Sequence, residues 1–324
     1  MPSAPRSARA LPALAAAALL ATACSTAPVG PATRRIAFKS EVVFSEAAVK
    51  QGVVASRADC AAAAQALWVQ SAEHGSECLR YWKAGFGAGA TGRAIVFFHG
   101  DVWTGSAADA GYLRTTEAAL QKSVDEWAAK LGRPYIFFAR PGAFGSSGDH
   151  MQRRRRGESA LISLALDQLK TQLGVDEWVL AGQSGGGHVT AALLAQRSDV
   201  VCAVAGSSVS SPRMRWVMRG WNRDSTGHAD SYEPTEALVK AGKHAQLRVF
   251  VVGSVDDQNT PWAQQQLLTA RARAVGIPAL ELTGEGLGPA RHGMSGSTRQ
   301  VAGWCAQGLS DEQILDQAKA GLRG

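Results

Sequence analysis

Residues 176–196 read DEWVLAGQSGGGHVTAALLAQ, and no other stretch constrains the fold as tightly. A short apolar strand over 179–181 runs into a turn of the form G-x-S-x-G centred on Ser184. An alanine- and leucine-rich helix follows at once. The glycines have a physical reason. A serine on a sharp strand-to-helix turn has a strained backbone, and its neighbours pass too close together to carry side chains. Gly182, Gly185 and Gly186 give that clearance. The turn lifts the hydroxyl above the sheet, and the N–H groups at the helix start aim at the same spot. The alternative is a small-residue turn that merely closes a βα unit. The flanking strand and helix favour a nucleophile elbow.

The rest of the chain alternates strands with helices, the pattern of a parallel sheet. Helices are predicted at 108–131, 158–173, 185–196 and 261–275. Apolar runs at 93–98, 135–139, 247–252 and 278–282 read as buried strands, and their ends carry chemistry. The first ends in His99, Gly100 and Asp101. The second runs into Arg140, Pro141 and a glycine loop reaching Gly148. The third ends in Gly253, Ser254, Val255, Asp256 and Asp257, ahead of Thr260 and Pro261. Past the fourth, after a glycine-rich loop, stand Arg291, His292 and Gly293. A serine nucleophile needs a base, and the base needs an orienting acid. Asp256 fits a G-x-x-D spacing and is preferred as the acid; Asp257 fits D-x-x-T-P and is the alternative. The aspartate not used is expected to face the dipole of the helix starting near Pro261.

The strand ends at His99, Arg140, Ser184, Asp256 and His292 fall in the order found in the α/β-hydrolase superfamily, which the chain resembles over residues 80–310. The resemblance implies an α/β fold: a mostly parallel central sheet, helices on both faces and a small cap insertion. It implies that Ser184 attacks, that His292 on the loop after the last strand is the base, and that Asp256 orients it. It also implies an oxyanion hole made by the N–H of Gly185 and an N–H at Asp101 or Val102. His99 would then be structural, tying its loop through both ring nitrogens. Residues 140–148 resemble the R-G-x-G-x-S loop of the superfamily with Pro141 inserted, and read as a rigid pocket wall. The Gly253-to-Asp256 and His292-Gly293 signatures resemble prolyl oligopeptidase and dipeptidyl peptidase catalytic domains. Those domains carry an aromatic after the serine, where Gly185 stands here.

Of the other histidines, His188 is expected to point along the elbow helix against a neighbouring loop. His74, His150, His228 and His244 read as solvated or loosely bonded. Residues 208–246 are expected to form the cap. Trp216 and Trp221 within it, with Trp103 and Phe144, are candidate pocket residues; for the two cap tryptophans, packing is the alternative. The run Arg153 to Arg156 reads as a solvated face, with a pocket rim that selects anionic substrates as a further option.

The front of the chain reads as an export signal over 1–23. Arg6 and Arg9 precede an apolar stretch at 11–21 that is too short to span a bilayer. Cys24 follows Leu20, Ala21, Thr22 and Ala23, which resembles a bacterial lipobox and implies lipidation of Cys24. Ordinary cleavage after an Ala-x-Ala is the alternative. Residues 24–35 would be a flexible tether, 36–90 an N-terminal extension and 91–324 the catalytic domain. The remaining cysteines, Cys60, Cys78, Cys202 and Cys305, allow three pairings, and export permits disulfides. Cys60 and Cys78 flank an alanine-rich helix expected at 61–69, while Cys202 lies on a buried strand and Cys305 on a C-terminal helix. The expected pairs are 60 with 78 and 202 with 305; free thiols are the alternative.

Hydrophobic residues make up 46% and charged residues 19%, which excludes a disordered chain. The net charge of +7 is modest, and no groove-binding motif accompanies it, so no nucleic-acid partner is expected. Membrane contact is expected through the lipid anchor alone. No C-x-x-C, H-E-x-x-H, Walker A or dinucleotide motif occurs, so neither metal nor cofactor is expected. The expected function is a serine hydrolase acting on small carboxylic esters. The second expectation is a serine exopeptidase for short peptides, with Asp230 and Glu233 binding a substrate ammonium. The third is a non-catalytic surface binding protein on a hydrolase scaffold.

Overall fold

Along each central strand, buried side chains alternate between two separate cores. In the computed structural model, which describes residues 1–2, 36–38, 44–87, 89, 91–241 and 246–324, eight strands form one sheet. They are β1 (Ala66–Ser71), β2 (Gly75–Ala84), β3 (Gly92–Phe98), β4 (Tyr135–Phe138), β5 (Val175–Gln183), β6 (Val200–Gly206), β7 (Arg248–Gly253) and β8 (Ala279–Thr283). Their spatial order is β8-β7-β6-β5-β3-β4-β2-β1. The β1–β2 and β2–β4 pairs are antiparallel and all others are parallel. Successive strand residues point to opposite faces. In β3, Ala94, Val96 and Phe98 enter one core while Ile95 and Phe97 enter the other. In β5, Trp178 and Leu180 oppose Val179 and Ala181 in the same way. A strand buried on both faces is apolar throughout, which is why these segments read as continuous runs.

Helices Arg156–Leu173, Gly185–Leu193, Pro234–Ala241 and Trp262–Ala274 cover one face. Glu117–Leu131, Ser295–Ala306 and Asp311–Lys319 cover the other. Glu117–Leu131 illustrates the local logic. Thr116 caps its start by accepting from the Ala119 N–H, and Gly132 ends it in a left-handed conformation at φ 59°. Leu120, Val124, Ala128 and Leu131 recur on one stripe and are buried. Each fully buried leucine or valine there stabilises the fold by about 1.5–3 kcal/mol.

The chain divides into units 1–34 and 35–324. Only Met1 and Pro2 of the first are described, so the rest of the expected signal peptide, Cys24 and the whole of the tether lie outside the described residues, as does His244. Within the second unit the expected helix at 61–69 is absent. A short helix, Arg57–Ala62, ends at Ala62, and Ala66–Ser71 is strand β1. Alanine favours helix locally, but Leu67 pairs across from Leu79 and Trp68 from Cys78 in a hairpin. Tertiary pairing overrides the propensity. Residues 66–84 are therefore part of the central sheet and not an extension of it.

Both expected disulfides are present. Cys60–Cys78 joins the short helix to β2 with a Cα–Cα distance of 5.5 Å, and Cys202–Cys305 joins β6 to Ser295–Ala306 at 6.5 Å. The expected cap is smaller than 208–246, because Pro234–Ala241 packs into the body through fully buried Leu238. No helix among the described residues is long and apolar enough to cross a membrane.

Candidate active site

Ser184 leaves the end of β5 with φ 58° and ψ −118°, and the helix Gly185–Leu193 starts at the next residue. A positive φ at a non-glycine residue is strained and must be held by its surroundings. Here the Ser184 N–H donates to Gly206 O at 2.8 Å, and its carbonyl accepts from His188 N at 3.1 Å. A Cβ at position 182 would lie 2.3 Å from Gly186 O, and one at 186 would lie 2.0 Å from Phe98 O. The turn can close against β3 only with glycine at both positions.

His292 Nδ1 lies 2.9 Å from Asp257 Oδ2 and 3.1 Å from Oδ1. The Asp257 side chain is fully buried. It also accepts from the N–H groups of Asn259 and Thr260 at 2.9 and 2.8 Å, which fix its orientation. The preferred acid Asp256 is exposed and makes no contact with His292. A turn from Ser254 to Asp257, closed by the Asp257 N–H on Ser254 O at 3.2 Å, sends residue 256 outward and 257 inward. The alternative, Asp257, is thus the carboxylate beside the histidine. Gln183, the residue before the serine, holds the histidine loop: its Nε2 donates to His292 O at 3.1 Å, and its Oε1 accepts from Ser295 Oγ at 3.1 Å. His292 Nε2 is buried without a hydrogen-bond partner, and it shares one pocket with Ser184. No hydrogen bond joins Ser184 Oγ to that nitrogen in this structure; such contacts commonly tighten only when substrate binds.

The loop after β3 passes beside the elbow. A Cβ on Gly100 would lie 3.5 Å from the Ser184 Cβ. The Val102 N–H is taken by His150 Nε2 at 3.3 Å. The N–H groups of Asp101 and Gly185 donate to no described residue, so these two are free to serve an oxyanion. His99 is fixed at both ring nitrogens: Nδ1 lies 2.6 Å from Gly100 O, and Nε2 accepts the Arg140 N–H at 3.0 Å. Burial, followed by the charge of Arg140, pushes its pKa down to about 3, so the ring is neutral. His150 is not solvated as expected but fully buried. His188 Nε2 meets Tyr232 O at 3.0 Å, so it points at a neighbouring loop.

A buried ion network lies behind the site. Asp101 pairs with Arg140 at 3.0 Å, with Arg153 at 3.1 Å and with Arg154. Arg154 also pairs with Asp224 at 2.5 Å, and Arg140 with Glu158 at 2.8 Å. Burial pulls the Asp101 carboxyl up, but Arg154, Arg153 and Arg140 together outweigh it and hold the group well below the usual carboxylate range. The solvated face expected for the arginine run is therefore wrong for Arg153 and Arg154, which are 2% and 0% exposed. Burial of these two is possible because each meets a carboxylate. The Asp101 side chain also accounts for Gly185: a Cβ there would lie 1.9 Å from Asp101 Oδ1 and 2.7 Å from Arg140 Nη1.

The pocket holding Ser184 and His292 has a volume of about 990 Å³. Trp103 and Trp221 line it; Phe144 and Trp216 do not. Phe144 sits in an aromatic cluster with Phe44, Tyr112 and Phe137. Trp216 is buried and donates to Asp224 Oδ2 at 3.3 Å. The 140–148 loop is not a wall of this pocket. Its Ser146 and Ser147 hydroxyls instead accept from the Arg80 and Cys78 N–H groups of β2. Asp230 and Glu233 lie outside the pocket too. Sequence reading missed Gln183, Arg215 and Arg219. Only Gln183, inside the G-x-S-x-G motif, carries a local signal.

No protein-family model matches the chain, and no curated protein matches it in sequence. Solved structures do match in fold. The acylaminoacyl peptidase of Pyrococcus horikoshii aligns over 77% of this chain and 43% of its own at a TM-score of 0.54 and 13% identity. An acylaminoacyl peptidase solved with Z-Gly-Gly-Phe-chloromethyl ketone aligns over 79% and 41% at 0.50 and 14%. Est1E from Butyrivibrio proteoclasticus, solved with ferulic acid, aligns over 77% and 99% at 0.49 and 13%. The chain spans less than half the length of the two peptidases. With its strand order and paired helix layers, it has the α/β-hydrolase fold.

Proposed function

We propose that the protein is an exported serine hydrolase that cleaves carboxylic esters through an acyl-enzyme on Ser184. The observation that carries this reading is the convergence of a strained serine at the elbow and a His292–Asp257 pair on one pocket. In this reading Ser184 Oγ attacks the acyl carbonyl while His292 Nε2 takes its proton. Asp257 holds the imidazole tautomer and stabilises the imidazolium. The N–H groups of Gly185 and Asp101 hold the oxyanion. The imidazolium then protonates the departing alcohol. Water, deprotonated by the same histidine, releases the acid and restores the serine. The chemistry needs no metal or cofactor.

Amide bonds are open to the same triad, and the fold is shared with acylaminoacyl peptidases. A peptidase that selects a free ammonium has less support, because Asp230 and Glu233 do not line the pocket and Asp230 pairs with Arg155 at the surface. Export is supported by the two disulfides, and anchoring through lipidated Cys24 by the sequence around it. The test is fluorophosphonate labelling of wild type and Ser184→Ala, with the labelled peptide mapped by mass spectrometry. Stoichiometric label on Ser184, absent from the variant, is expected. An unlabelled, folded wild type would favour a binding protein on this scaffold.

A further inference from the structure

The charges around the pocket do not balance locally. Asp101 and Asp224 line it, but Arg140, Arg153 and Arg154 pair with them, as described above. Asp109 is engaged in capping the helix Ala110–Arg114 through the Tyr112 N–H. Arg215, Arg219 and Arg223 also line the pocket, and among the described residues none of the three meets a carboxylate.

Arg215 is the decisive one. It is 6% exposed, and a buried guanidinium without a counter-charge is costly. Its Nε donates to Asn259 O at 3.0 Å and its Nη2 to Asn259 Oδ1 at 2.5 Å. Its Nη1 makes no hydrogen bond to any described residue. Burial, then the charge of Arg154, lowers its pKa to about 10; Asp101 and Asp224, neither within ion-pair distance of it, offset this only in part. Arg219 is tied to the carbonyls of Gln258 and Asn259. The Trp221 ring lies within 5.1 Å of the Arg215 guanidinium and 4.5 Å of that of Arg219. Two cations are thus held on one aromatic ring, fixed to the loop that carries Asp257, and open to the pocket of Ser184. Guanidinium groups arranged this way suit a carboxylate.

We infer that this pocket selects substrates bearing a free carboxylate, which Arg215 and Arg219 bind while the ester carbonyl lies at Ser184. The inference rests on the hydrolase reading for the position of the ester, but not for the binding of the anion. The carboxylate can belong to the acyl part or to the leaving alcohol, and the test separates the two.

Three esters serve as probes: 4-nitrophenyl hydrogen glutarate, with the charge on the acyl part; 4-carboxyphenyl pentanoate, with the charge on the leaving group; and neutral 4-nitrophenyl pentanoate for comparison. The expected result is that kcat/KM for one charged ester, set against the neutral one, falls about tenfold or more in Arg215→Gln and in Arg219→Gln. Arg215→Lys should restore part of the ratio. The arm that responds identifies the side of the carboxylate. An active wild type whose ratios are unmoved by any of these variants overturns the inference and leaves the hydrolase reading intact. Binding of benzyl hydrogen glutarate to Ser184→Ala, followed by calorimetry, needs no catalysis. Saturable binding weakened about tenfold by Arg215→Gln supports the anion site even where fluorophosphonate labelling fails. No binding of either that ester or 4-carboxyphenyl pentanoate to Ser184→Ala, or binding of both that Arg215→Gln leaves unchanged, overturns it.

Discussion

Asp257 and His292, thirty-five positions apart, meet at 2.9 Å, while Asp256, next in the chain, faces solvent. The two aspartates are chemically identical and both satisfy a plausible spacing. The direction of one turn separates them. Asp257→Asn is expected to lower kcat on an activated ester by about three to four orders of magnitude, because the amide cannot hold the imidazole in the required tautomer. Asp256→Asn removes an exposed charge only and should stay within about twofold. Parallel kinetics of the two variants check this, and comparable losses in both would dismiss the assignment.

At Gly185, local fit and chemistry coincide. An added Cβ would lie 1.9 Å from Asp101 Oδ1, in a network with little freedom to yield. Gly185→Ala is expected to displace either that carboxylate or the start of the elbow helix, and with it the N–H assigned to the oxyanion. A loss of about a hundredfold or more in kcat follows from one misplaced donor. Overpacking should also lower stability by about 1–3 kcal/mol. Kinetics and thermal unfolding of the variant give both values; near wild-type activity would show that the network gives way.

The elbow was legible because every residue that determines it lies within one contiguous strand, turn and helix. The same holds for the buried strands, whose apolar runs report burial on both faces. What escaped was set by contacts between distant parts of the chain. Strand β1 reads as helix until Leu67 is paired with Leu79. Arg154 reads as a surface charge until Asp101 and Asp224, fifty-three and seventy positions away, are placed against it. Arg215 has no local signature, because its meaning depends on which distant carboxylates come within ion-pair reach of it, and none does among the described residues. The two disulfides were paired correctly although the helix expected between Cys60 and Cys78 is absent; the short separation of that pair was enough, and the other then followed.

The two disulfides close loops of very different length. Cys60 and Cys78 are 18 residues apart and Cys202 and Cys305 are 103 apart. On the chain-entropy account, restricting the unfolded chain is worth about 3 kcal/mol for the short loop and about 4.7 for the long one. The long link also holds helix Ser295–Ala306 to β6, within the core beneath the His292 loop. Cys202→Ala with Cys305→Ala should therefore destabilise more than Cys60→Ala with Cys78→Ala. Urea unfolding of both double variants decides the order. The reverse ranking would mean that native-state packing, and not loop closure, governs the cost.

Glu233 makes stability depend on pH in the direction opposite to an ordinary carboxylate. It is 8% exposed, accepting from the Arg213 N–H at 2.7 Å and from Ser211 Oγ at 3.1 Å. Burial outweighs these donors and pushes its pKa up to about 7 from 4.5. Between those two values the folded state binds more protons than the unfolded state, so this group's contribution falls as pH rises and levels off above about 7. Ionised Glu233 then costs on the order of 1–3 kcal/mol at pH 8. Glu233→Gln stays neutral and can still accept from the Arg213 N–H through its carbonyl, so the segment leading to Arg215 keeps that anchor. The variant should be more stable than wild type at pH 8 and close to it at pH 4.5. Urea midpoints across that range test the sign. Curves for variant and wild type that run parallel would mean that Glu233 titrates in the folded protein as it does in the unfolded chain.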